Sequence, residues 1–158
     1  MLSNIGNILI IFTLLISVLI IYSSLICANN KNLLISKKIF QLTLMQTTIC
    51  IISFFTLIIG FVISDFSIIT VYQNSHSTKP LFYKIAGTWG NHEGSLLLWI
   101  NILIIFSYLF FIFNKNSPKN YRIYTLITQN ILIIGFLFFL IVNSNPFSPI
   151  LPTPIEGL

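Results

Sequence analysis

The chain has 158 residues with a net charge of +5, hydrophobic side chains at 56% of its positions and a mean hydropathy of +0.94. Only 7% of the residues are charged, which leaves too little polar surface to cover a water-soluble globule. The composition therefore excludes a soluble domain and indicates an integral membrane protein.

Four uncharged apolar stretches occur along the chain, and each reaches the ~20 residues that a helix needs to cross the hydrocarbon core of a bilayer. They cover residues 5–28, 39–64, 94–114 and 123–142. We therefore expect an all-α integral membrane protein whose single membrane domain, 1–158, contains four transmembrane helices. The polar remainder forms two short loops, a segment 65–93 and a tail 143–158.

Six of the eight basic residues lie in the two short loops. They are Lys31, Lys37 and Lys38 in one loop and Lys115, Lys119 and Arg122 in the other. Loops rich in Lys and Arg remain on the cytoplasmic or matrix side of a membrane. The N-terminus, segment 65–93 and the tail 143–158 are therefore predicted to lie on the outer side. Because the positive charge is an orientation signal, it does not indicate a nucleic-acid partner.

Four amide side chains lie away from the ends of the apolar spans. They are Gln46, Asn101, Gln129 and Asn130. An amide that faces acyl chains lacks a hydrogen-bond partner, so Gln46 is expected to face another helix. Four helices are not expected to satisfy all of these amides, which favours polar neighbours from a partner chain.

Segment 65–93 is long for a connection without structure of its own, which is typical of a functional or disordered loop. Its middle, residues 73–80, is polar and is predicted to be mobile. His76 has no second potential metal ligand near it in the sequence, so we interpret it as a solvated loop histidine, not a metal ligand. From Leu81 onward apolar residues recur at spacings of three and four, which predicts a short interfacial helix before the third span.

The most distinctive stretch is WGNHEGS, residues 89–95, at the start of the third span. Gly90 permits a turn, and Asn91 can cap a helix whose first turn holds His92 and Glu93, where the helix dipole favours a carboxylate. In such a helix His92, Ser95 and Trp99 would share one stripe. Two interpretations remain open from these residues alone: a helix start with an interfacial aromatic and a His–Glu contact, or a polar functional site above an aromatic platform.

Residues 89–99, WGNHEGSLLLW, resemble the signature of the cytochrome c maturation haem lyase family, CcmF and its NrfE-type relatives, in which Trp-Gly-x-His-Glu-Gly-Ser precedes a Leu-rich helix. Residues 62–72 resemble the family's Asn-Asp-Phe-[Ser/Thr] and the valine and tyrosine segment after it, although Ser64 stands where Asn is common. Residues 143–157, NSNPFSPILPTPIEG, resemble the family's Ser-Asn-Pro-Phe…Glu-Gly segment. Order, spacing and topology agree along the whole chain.

The resemblance implies that the complete protein attaches the vinyl groups of haem b to the Cys thiols of apocytochrome c on the outer face of an energy-transducing membrane. Implied partners are a haem chaperone, a thiol-handling protein and apocytochrome c itself. The family's haem ligands lie in segments that this sequence lacks, so haem b is expected to be bound by the complete complex and not by this chain alone. Catalytic residues are unknown, and no cofactor or metal ligand is assigned. The motif residues expected near the haem or partner site are Trp89, Gly90, His92, Glu93, Gly94, Ser95 and Trp99.

The family continues past the segment that ends here at Glu156 and Gly157. We therefore expect one piece of a divided haem lyase, working with a separate chain that carries the family's W-x-W-D segment.

The sequence has 32 Ile and 14 Asn against 2 Ala and 1 Arg, which is typical of an AT-rich organellar genome and predicts the mitochondrial inner membrane. A bacterial inner membrane is the alternative location. The alternative function is a structural subunit of a respiratory-chain or ion-translocating complex, which the charge-free spans disfavour.

Overall fold

A computed structural model describes residues 1–29 and 33–158, and over those ranges the chain is helical. The helices are α1 Leu2–Asn29, α2 Leu33–Val62, α3 Ile69–Asn74, α4 Leu81–Gly87, α5 His92–Phe113 and α6 Lys119–Asn143. Four ranges are long and apolar enough to cross a membrane: Leu2–Ala28, Lys37–Val62, His92–Phe113 and Lys119–Asn143. The prediction of an all-α membrane protein with four spans and a short helix before the third span is confirmed.

The four long helices form a closed bundle. Helix α1 packs against α2 and α6, and α5 packs against the same two helices from the other side. Aliphatic side chains from α2, α5 and α6 meet in its centre, among them Leu57, Leu97, Ile104, Ile133 and Leu137, and all of them are buried. Large apolar side chains also cover the outside of the bundle. A helix that is apolar all round is typical of a membrane span, because its outer face contacts acyl chains.

A polar contact ties three helices together in the bundle interior. The Nε2 of Gln46 on α2 donates to the Oγ of Ser17 on α1 at 2.7 Å and to the Oδ1 of Asn130 on α6 at 3.0 Å. Gln46 therefore faces other helices, as predicted. Asn101 donates to the carbonyl of its own helix at Leu97. Gln46, Asn130 and Asn101 therefore have hydrogen-bond partners within the four helices.

Gln129 behaves differently, because its Oε1 is buried and has no hydrogen-bond partner within the described part of the chain. The expectation that the four helices do not satisfy every amide therefore holds at Gln129.

The bundle has two chemically different ends. The motif end comprises the starts of α1 and α5, the ends of α2 and α6, helices α3 and α4, and the tail 144–158. The basic end, on the opposite side, carries Lys37, Lys38, Lys115, Lys119 and Arg122; Lys31 lies outside the described residues. Helix α2 begins at Leu33, so Lys37 and Lys38 lie on a helix and not in a loop as the sequence suggested. All three acidic residues of the chain, Asp65, Glu93 and Glu156, lie at the motif end.

Within the motif end, the tail packs against the start of α1. The carbonyl of Phe147 accepts hydrogen bonds from Ser3 Oγ at 2.6 Å and Asn7 Nδ2 at 3.2 Å. The Phe147 ring occupies the space that a side chain on Gly6 would need. Asn145 donates to Asn7 Oδ1 at 2.8 Å. The first residues after α6 are therefore fixed on the first two turns of α1.

The tail also pairs with the segment after α2. An isolated antiparallel bridge joins Ile68 and Pro149. Its hydrogen bonds run from the Ile69 N–H to the Ser148 carbonyl and from the Ile150 N–H to the Ser67 carbonyl, each at 2.9 Å. Helix α3 follows directly and was not anticipated from the sequence, which suggested an irregular loop there.

The turn after α2 places Ser64 in a strained backbone conformation. This residue has φ 56°, a left-handed conformation that Asn and Gly adopt more readily than other residues. The Oγ of Ser64 accepts a hydrogen bond from the Nζ of Lys84 on α4 at 2.6 Å. A lysine from α4 thus holds the strained turn in place.

Candidate functional site at the motif end

Asn91 builds the turn between α4 and α5. Its Oδ1 accepts a hydrogen bond from the Gly94 N–H at 2.7 Å, which caps α5 as predicted. Its Nδ2 donates to the carbonyls of Gly87, the last residue of α4, at 2.7 Å and of Thr88, the residue after it, at 3.3 Å. One amide side chain therefore joins the end of one helix to the start of the next and fixes the angle between them.

Gly94 allows this turn to close. A β-carbon on Gly94 would overlap the carbonyl oxygen of Thr88, and Thr88 is itself buried. Gly90 is less constrained, since a β-carbon there would meet the Ala86 carbonyl at 3.3 Å. Gly94 and Asn91 therefore form the turn between α4 and α5, and this structural role accounts for their presence in the motif.

Other residues of the motif are presented outward. Trp89 is 42% exposed and Trp99 is 66% exposed, and His92 is exposed as well. The Oγ of Ser95 donates to the carbonyl of His92 at 3.0 Å, so the predicted stripe of His92, Ser95 and Trp99 forms on one side of α5. This stripe runs from the end of the bundle toward the membrane-spanning part of α5.

The imidazole of His92 is held by α6 and not by its neighbour in sequence. Its Nε2 lies 3.1 Å from the Oγ of Ser144, and its ring stands edge-on to the ring of Phe139 with centroids 6.5 Å apart. The His–Glu contact of the first interpretation does not form, because the Glu93 carboxylate makes no hydrogen bond or ion pair within the described ranges. Sequence reasoning missed Ser144, which lies 52 positions away.

An apolar groove of about 480 Å³ lies beside this histidine, between α5 and α6. Its lining is Leu96, Ile131, Leu132, Gly135, Phe136 and Phe139. Phe139 contacts His92 and lines the groove, so the exposed imidazole stands at its border. A side chain on Gly135 would meet nothing within 4 Å, which leaves the groove open at that point.

The end of the tail is held by a second cluster of contacts. The Oε1 and Oε2 of Glu156 accept hydrogen bonds from the N–H and the hydroxyl of Ser77 at 2.9 and 2.7 Å. These bonds, chiefly that from the Ser77 hydroxyl, lower the pKa of Glu156 to about 2. The N–H of Leu158 donates to the Tyr72 carbonyl at 2.9 Å. The tail is therefore tied to the segment between α3 and α4.

This cluster corrects two interpretations of residues 73–80. His76 does have a carboxylate near it, since its Nε2 lies 3.8 Å from the Oε1 of Glu156. Its Nδ1 lies 2.9 Å from the Oγ1 of Thr78. The Nζ of Lys79 donates to the Asn74 carbonyl at 3.0 Å. The stretch predicted to be mobile thus makes defined contacts, while no group of three or more potential metal ligands forms among the described residues.

Comparison with known proteins finds relatives along the chain, although no family model matches the sequence. The chain is 48% identical over 105 residues to the cytochrome c-type biogenesis protein CycK of Rhizobium meliloti (strain 1021), an alignment that covers 66% of this chain and 16% of CycK. It is 34% identical over 160 residues to the cytochrome c-type biogenesis protein CcmF of Escherichia coli (strain K12), which covers 99% of this chain and 24% of CcmF.

A solved structure of a cytochrome c heme lyase CcmF has the same fold, with a TM-score of 0.84 at 20% identity, over 94% of this chain and 25% of that one. The chain therefore spans between 16% and 25% of the length of these three proteins. The resemblance found in residues 89–99 is confirmed, and the chain is a homologue of the N-terminal part of the CcmF, CycK and NrfE family of cytochrome c-type biogenesis proteins.

Proposed function

We propose that this chain is a component of the haem lyase of c-type cytochrome biogenesis, at the outer face of the mitochondrial inner membrane. The homology supports the pathway, because the relatives are named for cytochrome c-type biogenesis. One structural observation supports this role: some motif residues form the turn between α4 and α5, while others are exposed at the surface beside it. Trp89, His92 and Trp99 are exposed, and none of the three is part of the buried core.

The reaction of a haem lyase adds a cysteine S–H across a haem vinyl group, so that a C–S bond forms and the proton passes to the other vinyl carbon. The protein chiefly supplies orientation to the reactivity of the haem. Both histidines already have polar neighbours, Ser144 for His92 and Thr78 and Glu156 for His76, and they belong to separate clusters. The described residues therefore fit one wall of a haem site better than an iron-ligand set.

The exposed motif residues have properties that suit one wall of a haem site. Trp89 and Trp99 offer flat apolar surfaces at the bundle end, where tryptophan is favoured at the membrane interface. The carboxylate of Glu93 makes no hydrogen bond or ion pair within the described ranges and can orient a polar group of a partner. These side chains would contact haem b, which the complete complex binds, or the protein domain that carries it.

The remaining surfaces of the lyase lie outside these 158 residues, since the chain spans at most a quarter of its relatives. The groove between α5 and α6 is the surface that we assign to contact with the part carrying the W-x-W-D segment, because it is apolar, open at Gly135 and bordered by His92. A haem chaperone, a thiol-handling protein and apocytochrome c would act on the same end of the bundle.

The test replaces Trp89, His92, Glu93 or Trp99 singly by Ala in cells whose only copy of the chain carries the substitution. Two quantities are measured: the abundance of the chain in membranes by immunoblot, and covalent haem in c-type cytochromes by haem stain. We expect His92→Ala and Trp99→Ala to lower covalent haem per unit of chain severalfold or more.

Phe106→Ala is the matched control. Phe106 is a 62% exposed aromatic seven residues further along the same side of α5, inside the membrane-spanning range. The Phe106→Ala substitution should leave haem attachment at the wild-type level. If every loss of covalent haem follows a loss of chain, the motif has only a structural role and the proposal fails.

A further inference from the structure

A second groove, of about 630 Å³, opens at the basic end between α2, α5 and α6. Three cationic side chains line it: Lys37 on α2, Lys115 after α5, and Arg122 on α6. Phe40, Leu44 and Phe111 supply apolar lining. On α2 the spacing of residues 37, 40 and 44 places them on one face, with Leu44 about 10 Å further along the helix than Lys37. The groove therefore passes from a charged entrance to an apolar wall.

The positive charge of this groove has no acidic counterpart at the same end. The chain has three acidic residues, and all of them lie at the motif end on the other side of the bundle. Lys37, Lys115 and Arg122 consequently form a concentration of charge that only a group from outside the chain can neutralise. The proposed haem lyase role makes no use of these residues.

Arg122 is fixed by the fold in a way that leaves donors available. Its Nη2 donates to the Phe111 carbonyl at 3.0 Å, and its guanidinium carbon lies 4.5 Å from the centroid of the Phe111 ring. Its Nε is buried and has no hydrogen-bond partner within the described ranges, so a phosphate in the groove would meet the terminal nitrogens. A guanidinium has five N–H donors in a fixed plane and suits the oxygen atoms of phosphate. The fold thus positions an incompletely paired phosphate-binding group in the groove.

The groove lies at the ends of the membrane-spanning ranges, where lipid headgroups are expected. Lys37 is the first residue of one membrane-spanning range, Lys115 follows another by two positions, and Arg122 is in the first turn of α6. Basic pockets between transmembrane helices at this level bind anionic lipid headgroups. We propose that the groove holds one anionic phospholipid, with its phosphate near Lys37, Lys115 and Arg122 and an acyl chain along Phe40 and Leu44.

The test uses the purified chain in mild detergent with phosphatidylglycerol or phosphatidylcholine added, and native mass spectrometry counts the lipids that remain bound. We expect one retained phosphatidylglycerol and no equivalent retention of phosphatidylcholine. Each of Lys37→Gln and Lys115→Gln removes the attraction between one lysine and the anionic headgroup. Each substitution should therefore weaken lipid binding by about fivefold. Both lysines are exposed, so neither change should alter the unfolding temperature.

Two lysines of the same chain serve as matched controls. Lys38→Gln removes one charge from the same end but outside this groove, because Lys38 lines a neighbouring cavity of about 280 Å³. Lys79→Gln removes one charge from the motif end. Both variants should retain phosphatidylglycerol as the wild type does. Added inorganic phosphate should not displace the lipid, since the apolar wall contributes to binding.

Three results would overturn the proposal. Equal weakening by Lys38→Gln and Lys115→Gln would show diffuse attraction to the whole basic end and no site. Equal retention of phosphatidylcholine would show that the charge is not recognised. Complete displacement by inorganic phosphate would show a site for a free anion instead of a lipid.

Discussion

Gly94 lies so close to the carbonyl oxygen of Thr88 that a β-carbon on residue 94 would overlap that oxygen. The contact joins two backbones, and a backbone atom cannot rotate away as the end of a flexible side chain could. The distance between the end of α4 and the start of α5 is therefore set by the absence of a side chain at one position. The three hydrogen bonds of the Asn91 amide depend on the same distance.

The first prediction concerns this glycine. Gly94→Ala should lower the free energy of unfolding by about 1–3 kcal/mol, the usual cost of forcing an extra methyl group into a packed site. Unfolding in detergent, followed by circular dichroism, measures the change. Gly135→Ala is the control, because open space surrounds that position on α6 and Ala is favoured over Gly in a helix by up to ~1 kcal/mol. Equal destabilisation by both substitutions would contradict the overlap.

The second prediction concerns the amide pair in the bundle interior. Gln46→Leu removes the donor to Ser17 and Asn130 and should cost about 0.6–2 kcal/mol of unfolding free energy. Asn130→Leu should cost a similar amount, and the double variant should cost clearly less than the sum. Thr48→Val is the control, since its exposed hydroxyl bonds only to its own helix at Leu44. Strict additivity in the cycle would show that the two amides do not interact.

The third prediction concerns the pH dependence of tail docking. The pKa of Glu156 is lowered from 4.5 to about 2 by the hydrogen bonds from Ser77. A carboxyl whose pKa is lower in the docked state stabilises docking fully above its ordinary pKa, and that stabilisation disappears as the pH falls from about 4.5 to about 2. A spin label on Cys at the exposed position Thr153 should therefore be ordered at neutral pH and become more mobile over this range.

A substitution separates this carboxyl from general acid unfolding. Glu156→Gln should make the label mobile at every pH, whereas Glu93→Gln, which alters a carboxylate without protein contacts among the described residues, should keep the wild-type profile. A label that becomes mobile at low pH in the Glu156→Gln variant as it does in the wild type would assign the transition to another group.

The fourth prediction concerns orientation in the membrane. The basic end is expected on the cytoplasmic or matrix side and the motif end on the outer side, because Lys and Arg are retained inside. Cysteines placed at the exposed positions Thr78 and Thr153 should react with an impermeant thiol reagent added from outside, and a cysteine at Asn116 should react only after permeabilisation. Cys27 and Cys50 are buried, so the unsubstituted chain provides the unlabelled control. The reverse pattern of labelling would invert the topology.

The fifth prediction is that the purified chain takes up no stoichiometric haem with two histidine ligands. His76 contacts Thr78 and Glu156, while His92 contacts Ser144, so each imidazole belongs to its own cluster. Haem titration followed by absorption spectroscopy measures the binding. The variant with both histidines changed to Ala should give the same weak spectrum as the wild type. A one-to-one low-spin spectrum that this variant loses would refute the prediction.

The sequence predicts the parts of this fold that depend on local signals. Long apolar stretches identify the four spans, Asn91 three residues before Gly94 identifies the cap of α5, and the spacing of apolar residues after Leu81 identifies α4. In each case the residues that carry the signal are the residues that form the element. The outer stripe of His92 and Trp99 follows from the same periodicity.

The sequence does not predict contacts whose partners lie far apart. Ser77 and Glu156 are separated by 79 positions, and both are ordinary polar residues in loops without periodicity. The partner of His92 is Ser144, whereas the adjacent Glu93 seemed the natural choice. A helix directs neighbouring residues to different sides, so adjacency in sequence is a poor guide to contact on it. The groove at the basic end requires three helices to meet, which no single stretch encodes.

The packing of Phe147 against Gly6 fixes the first helix relative to the segment after α6. Helix α1 contains no Lys or Arg, so no basic side chain of its own sets its position along the membrane normal. The aromatic ring and the Ser3 and Asn7 hydrogen bonds supply that reference from the far end of the chain. An apolar helix that could otherwise slide is thereby kept at the depth of its neighbours, and the polar contact between Ser17 and Gln46 keeps its alignment.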